Sequence, residues 1–167
     1  MTTHNPVLRI IEVNGPSTTA RELSENEVID MAKGFLAARF SRNTEITNAA
    51  DVKDYLIAAL GNQEQEVFAG MFLDMRHRLI SFDILFYGTL GGTAVYPREV
   101  VKRAFLYNAA AVIFAHNHPS GVAEPSRADE LLTKRLAEAL QLIEVRVLDH
   151  IVVAGGGTVS FAERGLL

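Results

Sequence analysis

Seven consecutive apolar residues, Ala109-Ala110-Ala111-Val112-Ile113-Phe114-Ala115, run into His116 with no polar position among them. A half-exposed strand alternates polar and apolar side chains, so a run this short and uniform reads as a strand buried on both faces. It is the expected central strand of a sheet, and a central strand needs cover on each side. The rest of the chain supplies that cover.

Ser24-Glu25-Asn26-Glu27 has the pattern of a capping box. Val28, Met31, Ala32, Phe35, Leu36 and Phe40 then recur at helical spacing, and the helix is expected to end near Ser41-Arg42-Asn43. A second helix has Asn48 as its cap, Asp51 in its first turn, Val52, Tyr55, Leu56, Ala59 and Leu60 as its apolar side, and Gly61 as its stop. Residues 66–73 read as a buried strand, 74–77 as a turn and 78–86 as a strand pairing back antiparallel. Residues 88–92 are loop. Pro97 opens a helix that carries Val100, Val101, Ala104, Phe105 and Leu106. Residues 119–125 form a loop, and Ser126 caps a long helix reaching about Leu142. A strand over 145–153, a turn at 155–157 and a short strand over 158–161 complete the pattern. Helices alternate with strands while one hairpin is antiparallel. The expected fold is α/β, a mixed sheet with helices on its faces. Residues 1–23 read as a loosely docked lead, with Val7-Leu8-Arg9-Ile10-Ile11 adding a strand. The expected division is residues 1–44 as lead and helix, and 45–167 as the main domain.

The chain has 167 residues, 49% of them hydrophobic, enough for one domain with a good core. It has no cysteine, so thiolate zinc sites, thiol nucleophiles and disulfides are excluded. Any transition metal must be held by His, Asp or Glu. The net charge of −4 does not favour long-range attraction to phosphate. Lys102, Arg103, Arg127, Lys134 and Arg135 read as solvated helix faces. No run approaches the roughly 20 apolar residues that span a bilayer, and the first residues lack the build of a signal peptide. A cytoplasmic location is expected.

His116 and His118 stand at i and i+2, so on an extended segment their rings point the same way. Asp129 follows at the third position of the helix that Ser126 caps. Two imidazoles and a carboxylate are the ligand set of a catalytic zinc site, with the fourth position left to water. The expected cofactor is Zn2+, and the expected chemistry is hydrolysis by a metal-activated water. Such chemistry needs a proton acceptor. Glu66, at the mouth of an apolar strand, is one candidate and Glu64 is its rival; the residues alone leave both open.

These residues resemble a known family. Glu66, His116-Asn117-His118-Pro119, Ser126 and Asp129 look like the JAMM metalloprotease motif of JAB/MPN domains, whose fold is cytidine-deaminase-like. More closely the chain resembles the RadC family. Tyr96-Pro97-Arg98-Glu99-Val100-Val101-Lys102-Arg103-Ala104, Ala115-His116-Asn117-His118-Pro119-Ser120-Gly121, Pro125-Ser126-Arg127-Ala128-Asp129, Val147-Leu148-Asp149-His150 and Ser160-Phe161-Ala162-Glu163-Arg164-Gly165 carry the likeness. Asn117 departs from the Ser or Thr common in eukaryotic JAMM deubiquitinases but suits RadC. The resemblance implies that His116, His118 and Asp129 hold zinc, that Glu66 deprotonates the attacking water, and that Ser126 steadies the oxyanion. It gives His150 and His77 no metal role; they read as a strand residue and a turn residue. Full-length RadC proteins carry a helix-hairpin-helix region of the type that binds DNA. The chain offers no room for one before Ser24 and resembles the short RadC-like proteins found with mobile elements. The expected activity is that of a zinc metallopeptidase or isopeptidase acting on a protein or peptide. A non-catalytic JAB/MPN interaction module and a DNA-repair factor are the alternatives. The letters His-Asn-His also occur in HNH nucleases, but there the positions are separated on a different element.

Overall fold

A computed structural model describes residues 9–14, 17–39, 46, 48–88 and 94–167. Five strands form one sheet: β3 (Val67–Leu73), β4 (Leu79–Tyr87), β5 (Ala111–Asn117), β6 (Arg146–Ala154) and β7 (Gly157–Ser160). Their order is β4-β3-β5-β6-β7, which puts β5 in the middle. Every residue of β5 is buried, as its uniform apolar sequence requires. β5 runs parallel to β6 and antiparallel to β3, while β3–β4 and β6–β7 are antiparallel pairs. The sheet is therefore mixed.

Strand alternation divides the core into two layers. Ala111, Ile113 and Ala115 face α2 (Ala49–Leu60), which packs Val52, Tyr55, Leu56 and Leu60 onto the sheet. Val112 and Phe114 face the opposite layer, where Phe68 and Phe72 of β3 meet Val100 and Ala104 of α3 (Pro97–Leu106) and Leu136 and Leu140 of α4 (Arg127–Gln141). A fully buried Leu or Phe contributes roughly 1.5–3 kcal/mol by its transfer from water. His116 shares the parity of Val112 and Phe114, so it faces the α3/α4 layer at the end of the central strand.

The local signals act as their chemistry predicts. Asn48 accepts from the Ala50 N–H and starts α2. Asp74 makes the β3–β4 turn by accepting from the main-chain N–H groups of Arg76 and Arg78 at 2.8 and 2.9 Å. His77 sits there at φ 55, a conformation that His tolerates better than most residues. α2 does stop before Gly61, but not by a left-handed turn: Gly61 has φ −62, and an added Cβ would lie 2.6 Å from the Ile57 carbonyl oxygen.

Two strand boundaries need correction, at Phe161 and at Glu66, and two further features are new. The segment read as a loosely docked lead contains an antiparallel hairpin, β1 (Arg9–Asn14) and β2 (Ser17–Glu22), in which Asn14 pairs with Ser17. The strand suggested by residues 7–11 is thus present from Arg9 onward, and residues 7–8 lie outside the described ones. Phe105 and Leu106 do not join the core; they are 65% and 69% exposed at the end of α3. Phe161 is not the last residue of β7 but the first of the short helix α5 (Phe161–Arg164), where Ser160 accepts from the Glu163 N–H. Strand β3 starts at Val67, leaving Glu66 just outside it. The first helix, α1 (Glu25–Arg39), has the expected capping box, with Glu27 accepting from the Ser24 N–H at 2.9 Å. Its expected end at residues 41–43, and the loop over 89–92, lie outside the described residues.

Candidate metal centre

The parallel β5–α4–β6 crossover brings the site together. β5 ends at Asn117 and delivers His116 and His118 to the mouth of the sheet. His118 is anchored there by its main-chain N–H, which bonds the Val153 carbonyl of β6 at 2.9 Å. The loop then turns back so that the first turn of α4 faces the two rings. Ser126 and Asp129 cap that turn reciprocally. The Ser126 hydroxyl accepts from the Asp129 N–H at 3.2 Å, and Asp129 Oδ2 accepts from the Ser126 N–H at 2.7 Å. The Ser126 hydroxyl also donates to Oδ2 at 2.6 Å. Oδ2 is thus held by Ser126, and Oδ1 lies 3.7 Å from His116 Nε2.

His116, His118 and Asp129 could together hold a metal ion, since their donor atoms lie within 4.8 Å of one another. The two Nε2 atoms are 2.9 Å apart, and His118 Nε2 is 3.8 Å from Asp129 Oδ2. Ligands at 2.0–2.1 Å around a tetrahedral zinc are separated by about 3.3 Å. The observed separations bracket that value, so the residues fit the ion.

The proton positions follow from the fixed acceptors at each end of the network. His118 Nδ1 lies 2.8 Å from the Val122 carbonyl oxygen, which only accepts. His118 therefore donates from Nδ1, and its Nε2 carries a lone pair in the neutral ring. On the other side the Thr133 hydroxyl bonds the Asp129 main-chain carbonyl at 2.6 Å and must donate to it. Its oxygen then accepts from His150 Nδ1, 2.5 Å away. His150 Nε2 is left as an acceptor, and it takes the proton of His116 Nδ1 at 2.8 Å. His116 Nε2 is accordingly bare. The lone pair of His116 Nε2 thus faces His118 Nε2 across 2.9 Å, with the Asp129 carboxylate beside them. Burial holds the His116 pKa down at about 4, reinforced by His118 and opposed by Asp129, so the ring is neutral at neutral pH. Burial likewise pushes the His150 pKa well below the usual value, with His116 and His118 adding to it.

Glu66 is half-buried and Glu64 exposed. In the β3–β5 register Phe68 pairs with His116, and the Phe68 ring lies nearly parallel to the imidazole at 13°. Glu66 immediately precedes β3, and its main-chain carbonyl accepts from the Gly88 N–H at 2.7 Å. The segment is held by Asn117, whose Oδ1 accepts from the Val67 N–H and whose Nδ2 donates to the Gln63 and Gln65 carbonyls.

His150, Thr133 and Asn117 are the site residues that sequence reasoning missed. His150 was read only as a strand residue. The available signal was a titratable side chain immediately before the apolar Ile151-Val152-Val153, where an unpaired imidazole would be costly. His77 is a turn residue as expected, 3.2 Å from an Arg146 guanidinium nitrogen. Of the five basic residues considered as a phosphate patch, all are exposed, and Lys102, Arg103 and Arg127 form ion pairs with Glu99, Asp83 and Glu130. No helix among the described residues is long and apolar enough to cross a membrane.

Comparison with known proteins agrees with this architecture. The RadC-like JAB domain family matches residues 46–166. A UPF0758 protein of Methylibium petroleiphilum is 59% identical over 140 residues, covering 84% of this chain and 63% of the relative. One from Nitrosomonas eutropha is 56% identical over 140 residues, covering 84% and 62%. One from Leptothrix cholodnii is 52% identical over 160 residues, covering 96% and 71%. The chain thus spans less than two thirds of the length of the first two relatives. A mixed five-stranded sheet with helices on both faces, and a match across residues 46–166, together show that the chain belongs to the RadC-like JAB domain family.

Proposed function

We propose that this chain is a zinc-dependent hydrolase of peptide or isopeptide bonds, with His116, His118 and Asp129 as the metal ligands. The observation that carries the reading is the convergence of three metal-ligating side chains, with the two Nε2 atoms 2.9 Å apart and the Asp129 carboxylate oxygens 3.7 and 3.8 Å from them. Imidazole and carboxylate donors suit zinc, and three protein ligands leave the fourth tetrahedral position to water. When bound, zinc supplies Lewis acidity, which lowers the pKa of water to about 7 and polarises a carbonyl.

The protein's own groups do the rest. Glu66, immediately before β3, takes a proton from the attacking water and returns it to the leaving amine, a transfer worth roughly 10²–10⁴-fold. Ser126 donates to the oxygen that becomes negative. Its hydroxyl proton, now on Asp129 Oδ2, can turn away because the Ser126 N–H still holds that oxygen at 2.7 Å.

Elemental mass spectrometry on the purified protein tests the centre. About one zinc per chain is expected, lost in the His116→Ala/His118→Ala double variant. Glu66→Gln should keep the zinc and lose turnover in a panel of peptide and isopeptide substrates. A wild type that takes up no metal when zinc is supplied would sink the hydrolase reading, and an active Glu66→Gln protein would remove Glu66 as the base.

A further inference from the structure

His150 is wholly buried, yet it is not one of the ligands. Three phenylalanine rings enclose it: Phe161 at 4.6 Å, Phe68 at 5.4 Å and Phe114 at 6.2 Å between centroids. Its main-chain N–H is tied to Asp149 Oδ1 at 2.7 Å, and Asp149 also accepts from Ser160 and from the Ala162 N–H. Backbone and ring plane are therefore both fixed. An imidazole in such an apolar cage is costly unless each nitrogen is paired. Both are, and the identity of the partners is informative. One is His116, and the other is Thr133, whose hydroxyl bonds the main chain of Asp129. A hydrogen-bonded chain results, which joins the His116 ring to the main chain of Asp129 through two side chains that are not themselves candidate ligands.

Resting on the reading of the site as a zinc centre, we infer that His150 is a positioning residue for it. It holds the His116 ring in one orientation and in the tautomer that leaves Nε2 bare, and it takes that instruction from the α4 backbone through Thr133. Without it, His116 Nδ1 would have no acceptor in the phenylalanine cage. The proton would then be free to move to Nε2, the atom the ion needs. Outer partners of this kind fix ligand orientation and basicity, and their loss typically weakens metal binding about 10–100-fold.

Zinc affinity is read by titrating Zn2+ against a chromogenic chelator with wild type, His150→Phe, His150→Gln and Thr133→Val. His150→Phe keeps the ring volume and removes the acceptor, so its affinity should fall roughly 10–100-fold. His150→Gln places a carbonyl oxygen near the position of Nε2 and should recover most of that loss. Thr133→Val should lie between them. The second readout is the nitrogen-15 pattern of the histidine rings in zinc-free wild type at neutral pH, which needs no variant. His116 should be protonated at Nδ1. Protonation at Nε2, or a folded His150→Phe protein with wild-type zinc affinity, would overturn the inference while leaving the zinc centre intact. Failure of wild type to bind zinc would instead remove the zinc reading, and the ring pattern would still judge the hydrogen-bonded chain.

Discussion

Asn117 lies between the two ligand histidines but points away from them, and replacing it should separate stability from metal binding. It is 3% exposed, and its Oδ1 accepts from the Val67 N–H at 2.8 Å. Asn117→Ala strands that N–H beside a residue with no exposed surface. A buried donor left without a partner costs about 1–3 kcal/mol. The two amide contacts to the Gln63 and Gln65 carbonyls are long, 3.3 and 3.2 Å, and Gln65 is exposed. Water replaces them at small cost. The expected loss is therefore about 2 kcal/mol, dominated by the one buried donor. For a domain of this size that is a fall of roughly 4–8 °C in Tm. Zinc content should not change, because no ligand bonds to the Asn117 side chain. Denaturant unfolding gives the stability, and amide hydrogen exchange reports Val67 directly. The variant should lose protection at Val67, and the 63–67 segment carrying Glu66 should loosen with it. A variant within about 0.5 kcal/mol of wild type, or one with undiminished Val67 protection, would refute the claim that this side chain holds the strand entrance.

Ser126→Ala removes the cap of α4 and one of the two donors on Asp129 Oδ2, so it should cost about 1 kcal/mol in a thermal melt and weaken zinc binding without abolishing it. Phe161 has no exposed surface and packs on His150, and Phe161→Ala should cost roughly 3–5 kcal/mol by denaturant titration. The Arg78 side chain, and then the Arg78 N–H, lower the Asp74 pKa from 3.8 to about 2. A depressed carboxylate pKa stabilises the fold above 3.8, and that contribution disappears as pH falls toward about 2. Asp74→Asn should therefore be less stable at neutral pH and should show a shallower acid loss across that window; equal slopes for the two proteins would contradict it.

The parts of the fold that were legible from sequence are those in which local chemistry and tertiary demand agree. The run ending at Ala115 is apolar at every position because it is buried on both faces, and it could be read as nothing else. Asn48, Asp74 and Ser126 act within a few residues of themselves, so their roles are written locally. The spacing of His116 and His118 is also local, and Asp129 needed only the cap of its own helix to be placed. His150 and Asn117 are different. Each is defined by a partner on another strand, His150 across the parallel β5–β6 pairing and Asn117 across the antiparallel β3–β5 pairing. Register between strands distant in sequence is set by the whole sheet, and no short window of residues records it. Phe105 and Leu106 lie on α3 as read, but which of its residues are buried is a tertiary matter, and the buried ones are Val100 and Ala104.

The arrangement of the three candidate metal ligands is held by the fold itself. Each ligand side chain has a second partner inside the protein. His116 is held by His150, His118 by the Val122 carbonyl, and Asp129 by Ser126. None of these partners is itself a ligand, and all of them stand on elements that the core assembles independently: β6, the loop after His118 and the first turn of α4. Small zinc domains fold only when the metal gathers their ligands, because they have no other core. This chain has two apolar layers around a central strand, and the ligands sit at the margin of one of them. On the proposed zinc reading, the ion would add stability by mass action on a site already built, with the gain rising as the logarithm of free zinc over its dissociation constant. The same preorganisation would suit the proposed hydrolysis, since side chains that do not have to rearrange are in place before substrate arrives.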